Sequence, residues 1–362
     1  MQQRIRIKDI AAQTGVSIGT VDRVLHNRGH VAPEVRIRVL RVMEEMGYQP
    51  NMVARSLANN KKTFRIAVIL PDFRFDPYWE QPKEGVERAA ESVGHYGVQV
   101  EYHFFPLFEP KTYLQILRQV VETQPDAVLF APLFHDESAW LIAETTKLGI
   151  PKVMINTQIE GTDALSYIGQ DSYQSGVLAG RLLNFGLNDG DHAMVLNLDK
   201  EVPGARHLLA KQQGFKDFFN RPGGKNIEIH TAVFEAFDNP AEMKTWAMHL
   251  LEQNPKLKGF FITNSRAYKF VEVLDHQTME GIKVVGFDLI APNLRLLEEN
   301  KIRFLINQNA WRQGYQGIHT LVNHLVLRKE IPVQQYLPLD IIVRENASYY
   351  LERPVELPLA ML

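Results

Sequence analysis

Ile7-Lys8-Asp9-Ile10-Ala11-Ala12-Gln13-Thr14-Gly15-Val16-Ser17-Ile18-Gly19-Thr20-Val21-Asp22-Arg23-Val24-Leu25 carries two apolar stripes of helical period, separated by a glycine and a serine. Ile7, Ile10 and Ala11 share one face of a short helix that Gly15 ends, and Ser17 can cap a second helix bearing Val21, Val24 and Leu25. Across so tight a turn the two stripes bury each other and leave Ile18, Gly19, Asp22 and Arg23 outward. That is the geometry of a helix-turn-helix, whose second helix suits the major groove of DNA. A third helix is expected from Pro33, a favoured first helical residue, to Gly47, with Val35, Val39, Val42 and Met46 inward.

Charge supports this reading. Residues 1–63, which precede the strand-like run Phe64 to Leu70, hold 11 Lys and Arg against 5 Asp and Glu. The remainder holds 29 and 37 of the chain's totals of 40 and 42. A cationic head on an acidic body suits an anionic polymer, because each Lys or Arg placed on a phosphate releases condensed counterions. The 362 residues, 45% of them hydrophobic, exclude a disordered or fibrous chain and suffice for two or three domains. The absence of cysteine excludes a disulfide framework, a thiolate nucleophile and any Cys-ligated metal. No apolar leader follows Met1, and no run approaches the roughly 18 apolar residues of a membrane span, so a soluble cytoplasmic protein is expected.

The segments Ile7-Lys8-Asp9-Ile10-Ala11, Gly15 to Leu25, and Gly47-Tyr48-Gln49-Pro50-Asn51 resemble the lactose-repressor/galactose-repressor (LacI/GalR) family of bacterial transcription regulators. The resemblance continues through Asn51, Ala54 and Leu57, which match the family's hinge helix, and on through the core. It implies that Ile18, Gly19 and Arg23 face base edges, that Thr20 and nearby polar groups hold phosphates, and that Leu57 is a wedge in the minor groove. The expected DNA-binding set is Ser17, Ile18, Gly19, Thr20, Asp22, Arg23, His26, Asn27, His30, Asn51, Ala54 and Leu57. Independently of the resemblance, Asn51 to Ala58 is too short for a stable isolated helix, helices below about 12 residues being marginal in water. It is expected to order only against a partner, so that core movements reach DNA through the hinge. Two positions depart from the family: Asp22 stands where Ser is usual, and Ala32 at a cap position usually held by Ser or Thr. An acid on the DNA-facing helix can accept from a cytosine amino group and so alter operator preference.

From Phe64 onward, strand-length apolar runs alternate with helical patterns. The strands are read at Phe64 to Leu70, Val98 to Phe104, Ala127 to Ala131, Val153 to Ile155, His192 to Leu198, Glu228 to Val233, Gly259 to Thr263, Lys283 to Phe287 and Arg303 to Asn307. Such repetition predicts parallel, doubly wound sheets that bind ligands beyond the carboxyl ends of their strands. The resemblance implies a two-lobed α/β core like that of periplasmic binding proteins, joined by three crossovers. The organisation expected is a head over 1–50, a hinge helix and linker over 51–63, and a core over 64–362. Within the core, one lobe takes about 64–173 and 308–335, and the other about 174–307 and 336–362.

Polar residues just after strands are the binding candidates: Asp76, Tyr78 and Trp79, then Asn156, Asn264, Asp288 and Gln308. Carboxylates and amides bond several hydroxyls while an aromatic ring covers an apolar sugar face, so this set suits a sugar or polyol. The resemblance matches Asn264, Asp288 and Gln308 to family positions, and adds Lys211 where the family often has Arg. Lacking Arg's fork, Lys211 could serve a carboxylate, a hydroxyl cluster or a surface ion pair. Ser265 likewise stands where Asp is common, and Asp171 is read as a helix cap rather than a ligand contact.

Gly15-Val16-Ser17-Ile18-Gly19 matches the G-x-S-x-G of a serine-hydrolase elbow, but an elbow needs a strand before the serine and here a helix precedes it. Gly223-Gly224-Lys225-Asn226 lacks the parts of a phosphate-binding Walker loop. His26 and His30 have ligand-like spacing broken by Gly29, and are read as phosphate contacts or loop packing. No catalysis, cofactor or metal is expected. The tail, with Pro354 and Pro358, shows no heptads, so a homodimer reading a pseudo-palindrome is the expected assembly. The sequence therefore reads as a ligand-responsive transcription regulator, a repressor with a small carbohydrate effector. The alternative is a sugar-binding protein for transport, against which the cationic head argues.

Overall fold

The computed structural model describes residues 6–25, 31–46, 63–200 and 206–351. The chain separates into two compact units, Met1–Asn59 and Asn60–Leu362.

In the first unit, α1 (Ile7–Thr14), α2 (Ile18–Leu25) and α3 (Pro33–Glu45) enclose a small core of Ile10, Ala11, Val21, Val24 and Val39. Val35, Val42 and Met46 pack partly against it. Gly15 ends α1 in the left-handed region at φ 66°, where a side chain would be strained. The start of α1 is fixed by the Arg6 backbone N–H, which donates to Asp9 Oδ2 at 2.8 Å. Ser17 Oγ accepts from the Thr20 backbone N–H at 3.1 Å, the cap expected for α2. His26, Asn27 and His30, the hinge positions Asn51, Ala54 and Leu57, Gly47 at the expected end of α3, and the proline-bearing tail lie outside the described residues.

The second unit begins with β1 (Phe64–Pro71), α4 (Glu80–Val93), β2 (Val98–Phe105), α5 (Pro110–Thr123), β3 (Ala127–Phe130), α6 (His135–Lys147), β4 (Lys152–Ile155) and β5 (Ser166–Gly169). It continues with α7 (Ser172–Gly186), β6 (His192–Asn197), α8 (Arg206–Phe219), β7 (Glu228–Val233), α9 (Pro240–Gln253) and β8 (Leu257–Ile262). Then come α10 (Ala267–Val271), α11 (His276–Met279), β9 (Lys283–Phe287), α12 (Ala291–Glu298), β10 (Phe304–Asn307), α13 (Ala310–Leu325), β11 (Gln334–Tyr336), β12 (Asp340–Ile342) and α14 (Ala347–Leu351).

Among the described residues these strands form two six-stranded sheets, ordered β11-β5-β4-β3-β1-β2 and β12-β10-β9-β8-β6-β7. Each sheet is buried on both faces by separate apolar clusters, which is why its central strands are continuous apolar runs rather than alternating ones. The chain passes between the sheets three times: after β5, after β10 and between β11 and β12.

Three strands are absent from the sequence reading. β5 has Ser166 and Gly169 at its ends and so lacks an apolar run, and β11 and β12 are three-residue pieces with polar members, too short to show a period. The sheets are parallel as expected, except that β12 pairs antiparallel with β10 through Leu305 and Ile342. It returns from the other sheet after only three intervening residues, and so arrives from the opposite end.

Helix packing is tightest at two glycine pairs. A Cβ on Gly85 would stand 2.0 Å from the Trp311 carbonyl oxygen, and one on Gly314 2.0 Å from that of Pro82, so α4 and α13 meet backbone to backbone. In the other lobe, a Cβ on Gly176 would stand 1.9 Å from the Lys211 carbonyl oxygen and one on Gly214 2.0 Å from that of Tyr173, which brings α7 against α8.

Candidate functional site

The carboxyl ends of both sheets face a cleft between the lobes, a cavity of about 100 Å³. All eight ligand candidates of the sequence line it: Asp76, Tyr78, Trp79, Asn156, Lys211, Asn264, Asp288 and Gln308. They converge because a parallel sheet puts every strand end on one side, so loops distant in sequence share one edge.

The first lobe supplies an aromatic and amide wall. Asp76 caps the turn Pro77–Trp79, its Oδ1 accepting from the Tyr78 N–H at 3.1 Å, and this sets Tyr78 edge-on to Trp79 with ring centroids 5.0 Å apart. The Tyr78 hydroxyl accepts from Asn156 Nδ2 at 2.7 Å. Burial, reinforced by the Asp288 charge, holds that phenol well above its usual pKa, so it stays protonated.

The second lobe supplies two buried ionisable groups, Lys211 and Asp288, and the crossover after β10 supplies Gln308. Lys211, 2% exposed, donates to the Thr263 carbonyl at 2.9 Å and lies 3.6 Å above the Phe287 ring centroid. Among the readings left open for Lys211, a surface ion pair is thereby excluded. Asp288, 1% exposed, accepts from Gln308 Nε2 through Oδ2 at 2.7 Å, while its Oδ1 is buried and has no hydrogen-bond partner. Gln170, on the crossover after β5, in turn donates to Gln308 Oε1. Burial pushes the Asp288 carboxyl up and the Lys211 ammonium down, and each group partly restores the charge of the other. Burial and the neighbouring Lys211 charge push the His207 imidazole down to about 3, so it is neutral near pH 7.

Arg266, Asp199, His207 and Phe108 also line the cleft and were not among the candidates. Arg266 Nη2 donates to Asp76 Oδ2 across the cleft at 2.8 Å, and Nη1 donates to Asp199 Oδ2 within its own lobe at 3.0 Å. Phe108 and Phe237 flank its guanidinium at 5.5 and 4.8 Å. Burial works against the charge of Arg266, but the two carboxylates outweigh it and raise the pKa. Asp199 and Arg266 both follow strands, β6 and β8, so the rule that found Asn264 could have found them. Phe108 follows β2 in the same way, whereas His207, on α8, carries no such signal. Further links between the lobes run from Gln81 Nε2 to the Leu289 carbonyl at 3.2 Å and between Thr157 Oγ1 and His207 Nδ1 at 3.3 Å.

Asp171 caps α7, accepting from the Gln174 N–H at 2.9 Å, in agreement with its reading as a cap. In the head, Ser17, Ile18, Gly19 and Arg23 are exposed on or just before α2, Ile18 to 56%, whereas Thr20 and Asp22 are half-buried. Ser17 Oγ lies 2.9 Å from Thr20 Oγ1, so the hydroxyl of the apparent elbow is engaged in capping.

A two-lobed core with a polar, aromatic-walled cleft, on a chain that starts with a helix-turn-helix, defines a ligand-binding regulator of the periplasmic-binding-protein type. Comparison with known proteins agrees. A family described as "Periplasmic binding protein domain" matches residues 66–329, and one described as "Bacterial regulatory proteins, lacI family" matches residues 6–51. The chain is 37% identical over 351 residues to the HTH-type transcriptional regulator MalR of Streptococcus pneumoniae, covering 93% of this chain and 99% of the relative. It is 30% identical over 350 residues to the ribose operon repressor of Bacillus subtilis, covering 94% and 98%. A transporter solute-binding protein from Agrobacterium vitis, bound with α-D-tagatopyranose, superimposes on 80% of this chain and 97% of its own with a TM-score of 0.69 and 25% identity. The chain belongs to the lacI family of bacterial regulatory proteins, and it is a transcriptional regulator. No helix among the described residues is long and apolar enough to cross a membrane.

Proposed function

We propose that this regulator is a cytoplasmic repressor that binds operator DNA as a homodimer through its helix-turn-helix, and that its cleft takes a small, uncharged carbohydrate as effector. The observation that carries the effector class is Asp288, which lines the cleft and whose Oδ1 is a buried acceptor without a hydrogen-bond donor. An unmet buried acceptor costs roughly 1–3 kcal/mol, which a ligand hydroxyl recovers by donating to it. The charge balance sets the sign. Asp76, Asp199 and Asp288 oppose Arg266 and Lys211, with His207 neutral, so among the described residues the lining carries one net negative charge wherever the Lys211–Asp288 proton resides. That balance disfavours sugar phosphates and sugar acids. Trp79 and Tyr78 supply apolar surface for a sugar ring, and the ribose repressor and the tagatose-bound structure among its relatives support the same class.

Effector acts only through its different affinity for two arrangements of the lobes. In the proposed coupling, those arrangements alter the pairing of the two hinge segments and hence the grip of the two heads on DNA.

The test is calorimetry of the full-length protein with neutral pentoses and hexoses, and with their phosphates and acids. At least one neutral sugar is expected to bind, with Asp288→Asn weakening it 100-fold or more. That variant keeps the shape but gives the ligand hydroxyl an amide in place of a carboxylate. Tight binding confined to sugar phosphates or acids overturns the reading. Salt-sensitive retention of an operator duplex that changes on adding the sugar completes the test.

A further inference from the structure

At the other end of the second sheet, remote from the cleft, His192, Glu228 and His230 bring three ligating side chains together. We propose that these three residues form a binding site for a divalent transition metal of the zinc class, which clips the edge strand β7 to β6.

The placement follows from sheet geometry. β6 and β7 pair in parallel with His192 opposite Glu228 and Met194 opposite His230. Glu228 and His230 are two residues apart on one strand and therefore project from the same face, and His192 joins them from the neighbouring strand. His230 Nε2 lies 3.0 Å from His192 Nδ1, His192 Nε2 lies 3.4 Å from Glu228 Oε2, and His230 Nε2 lies 3.5 Å from Glu228 Oε1. With one ligand atom from each residue, the three atoms all lie within 4.8 Å of one another, against about 3.3 Å between ligand atoms placed about 2.0–2.1 Å from a tetrahedral zinc, so side-chain rotation closes the site around an ion. His192 meets its two neighbours through different nitrogens, and a rotation of its ring selects the one that ligates. Two imidazoles and a carboxylate form a donor set that zinc accepts, with a fourth position left for water. Glu228 is 64% exposed on its side chain, whereas those of His192 and His230 are 20% and 29% exposed, so the cluster is accessible to an incoming ion.

β7 is the last strand of its sheet, held along one edge alone. A metal bridging its first residues to the start of β6 would oppose fraying there. The strand rise of about 3.3 Å per residue puts the start of β6 some 16 Å from its carboxyl end, so the clip acts on stability and not on the effector's contacts.

The experiment uses the full-length protein and Co²⁺ and Zn²⁺ as probes. The expected result is one tightly bound Co²⁺ per chain with the visible absorption of tetrahedral coordination, displaced by Zn²⁺, and a Zn²⁺-dependent rise in Tm that a chelator reverses. His230→Gln is expected to weaken Zn²⁺ binding at least tenfold and to abolish the Tm rise, while a His26→Asn, His30→Asn double variant keeps both. Glu228→Gln, at the most exposed of the three positions, replaces His230→Gln if that variant fails to fold, with the same losses expected. Absence of stoichiometric binding, or binding equally tight in His230→Gln or Glu228→Gln, overturns the proposal and assigns any bound ion to others among the chain's 12 histidines.

Discussion

His319 shows how one buried side chain sets a pH dependence. It is 1% exposed on α13, its Nε2 lies 3.3 Å from Ser92 Oγ, and its Nδ1 has no partner. Burial pushes its pKa down to about 4 from an ordinary 6.5. Between those values the unfolded chain binds a proton that the folded one does not, so stability falls as pH falls from 6.5 toward 4. The full effect is about 3 kcal/mol. Urea melts at pH 7 and pH 4.5 are expected to show this loss in the wild type and a smaller loss in His319→Gln. His207, pushed down to about 3, acts in the same direction, so the variant's profile flattens without becoming level. Nothing in the sequence distinguishes either histidine. A lone His on a helix acquires its shift only from what packs around it.

At the scale of elements, the glycine pairs decide how closely the helices of each lobe approach. Gly214→Ala would drive a methyl group against the Tyr173 carbonyl, where α7 and α8 have no room to separate without disturbing Lys211 one turn away. A destabilisation of about 3 kcal/mol is expected, the upper part of the usual range for overpacking. Gly94→Ala is the control: its Cβ meets nothing within 4 Å and its φ is −53°, so stability should be unchanged or slightly raised. Thermal or denaturant melts of the two variants check the contrast. The nine runs read as strands all lie on strands of the sheets; the central ones are apolar throughout because they are buried on both faces, while the edge strands β2 and β7 carry polar members. The three missed strands are held by their neighbours rather than by their own pattern. Ser166 of β5, for instance, donates its hydroxyl to the Pro332 carbonyl at 2.7 Å, a partner 166 residues away.

At the scale of the whole core, Arg266 is a charged tie between the lobes. Its bond to Asp76 spans the cleft, and removing the guanidinium leaves the buried Asp76 carboxylate without its cationic partner. Breaking a buried pair in this way costs about 3–5 kcal/mol, and the cleft can relieve that cost by opening to water. Arg266→Gln is therefore expected to raise the radius of gyration of the effector-free protein in small-angle scattering, toward an opened cleft. An unchanged scattering curve would mean that the aromatic and amide contacts hold the lobes by themselves. The same bond limits what enters: a ligand that reaches Asp76 must coexist with Arg266 or displace it, which favours groups that can both donate to a carboxylate and accept from a guanidinium. Hydroxyl groups do both.

The helix-turn-helix and the two parallel sheets are legible in the order of the amino acids, because both rest on local physics. Gly15 and Ser17 act on their own backbone neighbours, and apolar period or continuity reports which face of an element is buried. The same pattern places Asp76, Tyr78, Trp79, Asn156, Asn264, Asp288 and Gln308 at strand ends, and family resemblance adds Lys211. The burial of Lys211 against Asp288, the tie that Arg266 makes between the two lobes, and the meeting of His192 with Glu228 and His230 emerge only in the folded chain. Each of these depends on distances between residues tens or hundreds of positions apart. Such distances are set by strand order and helix packing, which local sequence pattern does not encode.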